Sequence, residues 1–339
     1  MKNNSVLFML LCTCIFLSCT PPPKKSPSFP VKIILDTDIG PDYDDVGAMA
    51  VLHALTDSGK VEILGTFASN KDSLVVPTIE VMNTWFGRPA IPVGAPKTKG
   101  VSMTASQHWP DSVVARFPHQ TRSTGEAPDA VTQYRKILAS QPDHSVTIVS
   151  IGFLTNLGNL LQSQPDQLSL LNGTDLVFLK VKKLVSMAGQ FPSGKEFNVY
   201  MDSTASIDCF SHWPTDIIFS GFEIGEKVKT GLELVNQPWK DNPVREAFRI
   251  ALAGSQEDHY GRMSWDQTAV LIAIYGTEPF FSTVKGTIQV HPDGSNGWKD
   301  DPAGKHTYVK FKMTPDSIAH FIEKRMMQWP VRKKLQIKN

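Results

Sequence analysis

Short apolar runs alternate with longer helix-like stretches along most of the chain. The runs are partly β-branched and are followed by turn residues, which is typical of buried strands. They predict strands at Val31–Leu35, Val61–Phe67, Val146–Ile151, Asp175–Leu179 and Thr215–Phe219. The stretches between them predict helices at Asp44–Asp57, Leu74–Phe86, Ala127–Ser140, Leu154–Gln162, Ser203–Ser211 and Pro243–Gly254. This alternation predicts an α/β fold with a mostly parallel central sheet and flanking helices.

The pattern changes after Ser282. Two further strands are predicted at Gly286–Val290 and Thr307–Met313, with a connection rich in glycine and aspartate between them. A terminal helix is predicted over Pro315–Met327. We expect this tail to pack on the outside of the sheet.

The N-terminus has the pattern of an export signal. Lys2 precedes an apolar core at Val6–Leu17, and the following Cys19 stands where a bacterial lipobox places its acylated cysteine. The alternatives are plain signal cleavage and a short membrane anchor. The predicted organisation is a signal peptide over 1–18, a tether rich in proline and lysine over 19–30, and a single domain over 31–339. We therefore expect an exported bacterial protein, periplasmic or held at the outer membrane through a lipid on Cys19.

Composition narrows the function classes. The chain has 339 residues, of which 41% are hydrophobic and 20% charged, as in ordinary globular proteins. Its net charge of +1 gives no electrostatic footprint for nucleic acid. The body contains no apolar run long enough for a transmembrane helix. Cys209 is the one cysteine after Cys19, so the body has no internal disulfide.

Five aspartates follow the first predicted strand: Asp36, Asp38, Asp42, Asp44 and Asp45. They lie where ligands bind in open α/β sheets, outside the carboxyl end of a strand. Carboxylates this close repel one another unless a positive charge neutralises them. A hard divalent cation suits an all-oxygen set, and the absence of His and Cys ligands favours Ca²⁺ over Zn²⁺. Helix capping accounts for one or two of these aspartates, but not for five.

Two further strand ends carry polar groups. Asn70 follows the second strand, where an asparagine also serves as a turn or cap residue. The strand at Val146 leads into a glycine, Gly152, which lets backbone approach a ligand closely. The carbonyl of Ser150 or of Ile151 is therefore a candidate metal ligand.

Candidate ligands also occur far along the chain. Glu196 and Asn198 are two residues apart and, on an extended segment, face the same way. An acid and an amide so placed form a candidate clamp for vicinal hydroxyls. Asp266 opens an apolar helix, where it is either an N-cap or a distant ligand for the first aspartate cluster.

The combination of these motifs resembles the inosine-uridine preferring nucleoside hydrolases, from about Val31 to Gly276. The motifs stand in the family's order: Asp36-Thr-Asp38-Ile-Gly-Pro-Asp42-Tyr-Asp44-Asp45, Ala68-Ser-Asn70, Thr147-Ile-Val-Ser-Ile-Gly-Phe-Leu-Thr-Asn156, Met187-Ala-Gly189, Glu196-Phe-Asn198 and Ser264-Trp-Asp266. Any one motif is weak evidence, whereas the aspartate-rich signature followed by five further motifs in the right order is strong evidence.

The resemblance implies a Ca²⁺ ion at the strand ends. Its ligands would be Asp38, Asp45, the backbone carbonyl of Ile151 and Asp266, together with two ribose hydroxyls and a water. The resemblance also implies that Asp38 is the catalytic base, which takes a proton from the metal-bound water that attacks the anomeric carbon.

For the substrate, the resemblance implies a ribonucleoside, whose N-glycosidic bond is hydrolysed to ribose and free base. Asp44, Asn70, Glu196 and Asn198 would hold the ribose, and Met187 would pack beside it. An anionic, hydrogen-bonded sugar site suits this reaction because its transition state has oxocarbenium character. The family also implies a homodimer or homotetramer.

Some positions depart from the family. Two extra residues between Gly40 and Asp44 make Asp42 a competitor of Asp44 for the ribose. The loop Gln190–Lys195 is short and has no match for a sugar-binding asparagine that the family often carries there.

The leaving-group side departs further. Many members have a histidine, as leaving-group acid, where this chain has Trp265. Trp265 is either a stacking surface for the base or a core residue. Candidates for the acid are His108, His259 and Tyr260, and the remaining alternative is that the chain has none.

Two other functions fit part of the sequence. Asp36 and Asp38 also match the opening of a haloacid-dehalogenase-type phosphatase, with Asp36 as nucleophile and Mg²⁺ as cofactor, although Gly40 stands where that motif has Thr or Val. An exported lipoprotein that binds Ca²⁺ or a pentose without turnover is the second alternative. An EF-hand is excluded because its twelfth position, counted from Asp36, is Gly47 instead of Glu.

Overall fold

The computed structural model describes residues 30–331. The predicted signal peptide, the lipobox cysteine and the tether up to residue 29 lie outside the described residues. Among residues 30–331, no helix has the length and apolar character needed to cross a membrane.

The described chain alternates strands and helices from its start. The strands are β1 (Val31–Thr37), β2 (Val61–Ala68), β3 (Val93–Gly94), β4 (Val146–Ser150), β5 (Val181–Met187), β6 (Asp216–Ser220), β7 (Lys229–Thr230), β8 (Arg262–Met263), β9 (Phe281–Val290), β10 (Asn296–Asp300) and β11 (His306–Phe311). The helices are α1 (Asp44–Asp57), α2 (Val75–Trp85), α3 (Trp109–Arg116), α4 (Ala130–Ser140), α5 (Thr155–Gln162), α6 (Gly173–Lys180), α7 (Phe197–Met201), α8 (Ser203–His212), α9 (Phe222–Gly225), α10 (Leu232–Val235), α11 (Pro243–Gly254), α12 (Trp265–Tyr275) and α13 (Pro315–Met326).

A nine-stranded sheet forms the centre of the fold, in the order β10-β9-β11-β6-β5-β4-β1-β2-β3. From β11 to β3 every neighbouring pair is parallel, and only β9 and β10 run antiparallel to their neighbours. This confirms the predicted α/β architecture. The strand order changes direction between β1 and β4, so a crevice opens outside their carboxyl ends, which is where such sheets bind ligands.

Both faces of β1 are covered by helices. Ile33 and Leu35 point into one apolar cluster, shared with α1, α2 and α12, whereas Ile34 points into the other, shared with α4, α5 and α8. A strand buried on both faces is apolar at consecutive positions instead of alternate ones. The run from Val31 to Leu35 is apolar for this reason, apart from Lys32 near its start.

One predicted strand is wrong. Asp175–Leu179 lies in α6, and the strand follows directly as β5. The side chain of Asn172 caps α6 by accepting a hydrogen bond from the backbone N–H of Asp175 at 2.8 Å. The chain passes from α6 into β5 without glycine or proline, so the apolar pattern contains no boundary.

The C-terminal tail also differs from expectation, because its strands belong to the sheet. β11 pairs in parallel with β6, and β9 joins β11 antiparallel, so the tail extends the sheet instead of packing outside it. α13 is the part that packs externally, against α1. At the far edge, the side chain of Asn296 in β10 accepts from the backbone N–H of Gln190 at 3.0 Å and donates to its carbonyl at 2.9 Å.

A buried histidine, His53 of α1, lies in the apolar layer. Its ring stacks on Phe86 with centroids 4.6 Å apart, and no part of it is exposed. Nε2 donates to the side-chain carbonyl of Asn83 at 3.1 Å, and Nδ1 accepts from Arg88 at 3.4 Å. Burial, with the charge of Arg88 second, lowers the pKa of His53 to about 3. The ring is therefore neutral in the folded protein at neutral pH.

We expect His53 to make stability depend on pH. Because the folded-state pKa lies below the ordinary value of 6.5, the unfolded chain binds the proton more tightly. The stabilisation is fully present above pH 6.5 and is lost as the pH falls, by up to about 1.4 kcal/mol per pH unit. Urea unfolding at pH 7, 6 and 5 should show a shallower loss for His53→Gln than for wild type. The exposed His212→Gln is the control, and parallel curves for wild type and His53→Gln would contradict the assignment.

Candidate active site

A cavity of about 230 Å³ opens at the carboxyl ends of the central strands. Nine of the ten residues predicted for the site line it: Asp38, Asp44, Asp45, Ile151, Met187, Glu196, Asn198, Trp265 and Asp266. They come from the ends of β1, β4 and β5 and from the first turns of α1, α7 and α12. The parallel topology therefore brings together motifs that are more than 200 positions apart in the chain.

The acidic cluster is tight. Carboxylate oxygens of Asp44, Asp45 and Asp266 lie within 4.8 Å of one another, and all three residues are buried. The hydroxyl of Thr37 donates to Oδ1 of Asp45. Oδ2 of Asp45 is buried and has no hydrogen-bond partner in the structure. A buried carboxylate oxygen without a donor is costly, and a cation is the group that would satisfy it.

The pKa values in this cluster are shifted in one direction. Burial, followed by the charge of Asp45, raises the pKa of Asp38 well above its ordinary value. Burial, followed by the charge of Asp44, does the same for Asp266. Burial raises the pKa of Asp45 to about 7. With the carbonyl of Ile151 on the same wall, the donors are all oxygens. They fit a hard divalent cation, which would keep the carboxylates ionised.

Asp44 differs from its neighbours because protein groups occupy both of its oxygens. Oδ1 accepts from the guanidinium of Arg262 at 3.1 Å, and Oδ2 accepts from the backbone N–H of Asp266 at 3.2 Å. Asp42 forms an ion pair with the same guanidinium. Sequence reasoning did not select Arg262, although it is the one basic residue among the cavity-lining residues. The one feature of the sequence that could have indicated a basic residue in the site is a lone arginine four positions before Asp266.

The segment around Glu196 is not extended, contrary to expectation. Glu196 caps the short helix α7, and its carboxylate accepts backbone N–H groups of Gly189, Asn198 and Val199 at 3.0, 2.7 and 3.2 Å. The amide of Asn198 donates to the carbonyl of Met187 at 3.1 Å. Burial raises the pKa of Glu196 to about 7. The helix cap therefore brings Glu196 and Asn198 to the cavity wall, and not the alternation of a strand.

Asn70 is the predicted site residue that does not line the cavity. Its side chain is fully buried and bonds to backbone on both sides. Oδ1 accepts from the N–H groups of Asp72 and Met103, and Nδ2 donates to the carbonyls of Met103 and Asp38. In this structure Asn70 supports the backbone of Asp38, and contact with a substrate would require these bonds to open.

Three aromatic side chains line the same cavity as the acids, and we call them the aromatic wall: Phe197, Phe222 and Trp265. Trp265 donates its indole N–H to the carbonyl of Phe222 at 2.8 Å, and the two rings lie 5.3 Å apart at 32°. Phe197 lines the same cavity. Trp265 is only partly buried: its ring packs against Phe222 and also lines the cavity.

None of the three candidate leaving-group acids lines the cavity. The side chain of His108 is 72% exposed and lies 3.5 Å from Asp111. His259 packs on Tyr260, and both rings are exposed. Glu257, on the same loop as these two, does line the cavity. Among residues 30–331, the side chains that line the cavity include acids and aromatic rings but no histidine.

Sequence comparison identifies one family. The profile described as inosine-uridine preferring nucleoside hydrolase matches residues 33–314, which is most of the chain. The match spans the strand ends and loops that build the cavity. No curated protein sequence matches the chain.

Solved structures share the fold at low sequence identity. A plant nucleoside hydrolase is 21% identical with a TM-score of 0.65, and the match covers 88% of this chain and 99% of the plant chain. A purine-preferring ribonucleoside hydrolase from Gardnerella vaginalis is 17% identical with a TM-score of 0.64, covering 87% and 98%. An inosine-uridine preferring nucleoside hydrolase from Bacillus anthracis is 16% identical with a TM-score of 0.64, covering 87% and 98%.

Proposed function

The chain belongs to the inosine-uridine preferring nucleoside hydrolase family, and we propose that it hydrolyses ribonucleosides in a calcium-dependent reaction with Asp38 as the base. Hydrolysis of an N-glycosyl bond is the activity of this family. The ion, the base and the roles of the individual residues are the proposed part.

The observation that carries the proposal is the unpartnered oxygen of Asp45 inside an oxygen-only cluster. Asp38, Asp45, Asp266 and the carbonyl of Ile151 would hold the ion, and all four residues line the cavity. Ca²⁺ accepts six to eight oxygen ligands in flexible geometry, so it tolerates a shell shared between carboxylates, a carbonyl and substrate hydroxyls. When bound, the ion lowers the pKa of a water molecule and offsets the repulsion among the aspartates.

The chain's own groups account for the remaining steps. Asp38 accepts the proton of the attacking water at a carboxylate oxygen. Glu196 and Asn198, both fixed by backbone hydrogen bonds, hold the ribose beside Met187. The negative charge that surrounds the sugar stabilises the positive charge that develops at the anomeric carbon. Because these groups are already positioned, little rearrangement is needed during the reaction.

The leaving base would lie against the aromatic wall. Trp265 and Phe222 present ring surface to the cavity, and none of the described residues that line it is a histidine that could donate a proton. Glu257 is exposed, lines the cavity and lies on the same loop as His259 and Tyr260. We propose that Trp265 stacks on the base and so favours purines.

The two alternatives fare differently. The phosphatase interpretation needs Asp36 as an accessible nucleophile, but Asp36 is fully buried. One of its oxygens accepts from the hydroxyl of Tyr134 at 2.8 Å and from Asn156 at 3.0 Å. The non-catalytic binding protein remains an alternative, and a turnover measurement separates it from the hydrolase.

We expect the purified protein to release ribose from inosine, uridine and a chromogenic riboside when Ca²⁺ is present, and to stop when a chelator is added. Asp38→Asn should lower kcat by about 10⁴-fold, because it removes the base and one charge at the ion. Its unfolding temperature should change little, since the neutral side chain relieves repulsion among buried acids.

The matched control is Asp111→Asn, which neutralises an exposed aspartate on α3. An unchanged rate in Asp38→Asn would overturn the assigned base. Release from the chromogenic riboside alone would mean that the natural leaving group is not a standard base. Cation binding without release from any substrate would favour the non-catalytic binding protein.

We also expect Ca²⁺ to raise the unfolding temperature by several degrees, because an ion that binds only the folded state adds about 2.7 kcal/mol at a hundredfold excess over its Kd. Asp45→Asn should abolish this shift. Differential scanning calorimetry with Ca²⁺, Mg²⁺ and chelator checks both statements. A shift of the same size in Asp45→Asn would remove Asp45 from the ligand set.

For Trp265→Ala, we expect KM for inosine to rise about tenfold or more while KM for uridine rises less, because stacking on an aromatic ring contributes about 1–3 kcal/mol per base. Trp265→Phe keeps a ring and should retain most of the preference. Steady-state kinetics on both nucleosides measure it. Equal losses for purine and pyrimidine would show that the ring is structural only.

A further inference from the structure

Arg262 occupies an unusual position for a cation. It lies on the two-residue strand β8 and is only 9% exposed. Its guanidinium lies between two aromatic rings, 4.9 Å from the centroid of Tyr43 and 5.0 Å from that of Trp265. Cation–π contacts of this kind are attractive and help to hold the guanidinium in place. The arginine is therefore built into the cavity wall instead of lying loosely over it.

Three carboxylates surround the guanidinium. Nη2 forms an ion pair with Asp42 and lies 3.1 Å from Oδ1 of Asp44, and Nη1 lies 3.6 Å from Asp258. The hydroxyl of Tyr43 donates to the other oxygen of Asp258 at 2.7 Å, which fixes that partner as well. Burial lowers the pKa of Arg262 only to about 10, so the group is charged at neutral pH.

The consequence falls on Asp44. Its oxygens are close enough to those of Asp45 and Asp266 to share one cation with them. However, Arg262 holds one oxygen and the backbone N–H of Asp266 holds the other. Asp45, by contrast, has a buried oxygen without a hydrogen-bond partner among residues 30–331. Within this cluster, protein groups thus occupy both oxygens of Asp44, whereas one oxygen of Asp45 is left available for a cation.

We propose that Arg262 is a positioning residue that keeps Asp44 out of the cation's coordination shell and so reserves it for the substrate. This inference rests on the proposed cation site. It separates the cluster into a cation-binding part, Asp38, Asp45 and Asp266, and a sugar-facing part, Asp44. Without the guanidinium, Asp44 would turn toward the ion as an additional ligand, and the ion would bind more tightly in a shell with less room for ribose.

The test measures Ca²⁺ affinity directly, by isothermal titration of the full chain with Ca²⁺ and no substrate. Arg262→Gln is expected to bind Ca²⁺ at least tenfold more tightly than wild type. In parallel kinetics, KM for inosine should rise by at least tenfold with a smaller change in kcat. A general loss of structure would weaken Ca²⁺ binding instead. If the Arg262→Gln protein does not fold, Arg262→Met is a second neutral variant with a side chain of similar length.

A double-mutant cycle shows whether the effect acts through Asp44. In an Asp44→Asn background, Arg262→Gln should change Ca²⁺ affinity by less than about threefold. Residue 44 then carries no negative charge that could be added to the coordination shell of the ion. Arg262→Lys, which keeps the charge, should remain within about threefold of wild type. Arg249→Gln, an arginine paired with Glu246 outside the cavity, is the matched control and should leave Ca²⁺ affinity unchanged.

Three results would overturn the inference: no tightening in either neutral variant, the same tightening in the Asp44→Asn background, or full tightening in Arg262→Lys. The first would mean that Arg262 does not limit the coordination shell. The second would mean simple repulsion between Arg262 and the ion, and the third that its charge does not hold Asp44. A wild-type protein that binds no Ca²⁺ would instead refute the proposed cation site, so the two failures are distinguishable.

Discussion

Repulsion among buried carboxylates at the end of β1 is the constraint on which the rest of the site depends. Acids this close, and this far from water, cannot all be ionised unless positive charge is supplied. The protein supplies part of it with the guanidinium of Arg262 and with backbone N–H groups that point at Asp44 and Glu196. One oxygen of Asp45 has no hydrogen-bond partner among residues 30–331, and the proposed cation would supply the remaining positive charge there.

The central strands could be predicted because each is covered on both faces. That covering makes the strand sequence continuously apolar, and it also places the residue after each strand at a common edge. The same reasoning failed at α6, where an apolar helix runs directly into β5 and only the cap at Asn172 marks the start of the helix. It failed again for the tail, because the apolar pattern of β9 and β11 does not indicate that β11 pairs with β6 and so extends the sheet.

The acidic part of the site was predictable for a different reason. Asp38, Asp44 and Asp45 are close in sequence, so their proximity in space follows from local structure. Arg262 and Asn70 are different cases. The contacts of Arg262 with Asp42 and Asp44 exist only because β8 packs against the loop after β1, about 220 residues away. Whether Asn70 faces the cavity or the backbone of Asp38 depends on a loop near Met103 whose course the sequence does not indicate.

The contact between β10 and the loop that precedes α7 has a consequence for how this chain can be divided. All the predicted site residues lie before position 267, so a motif-based boundary would treat the last seventy residues as dispensable. Yet Asn296 holds the backbone of Gln190 in both directions, and Gly194 pairs with Asn296 across an isolated bridge. The loop that precedes Glu196 is thus held in place by β10, a strand that contributes no residue to the cavity lining. A unit that keeps this loop in place therefore includes the β9–β10 hairpin, which lies beyond the last predicted site residue, Asp266.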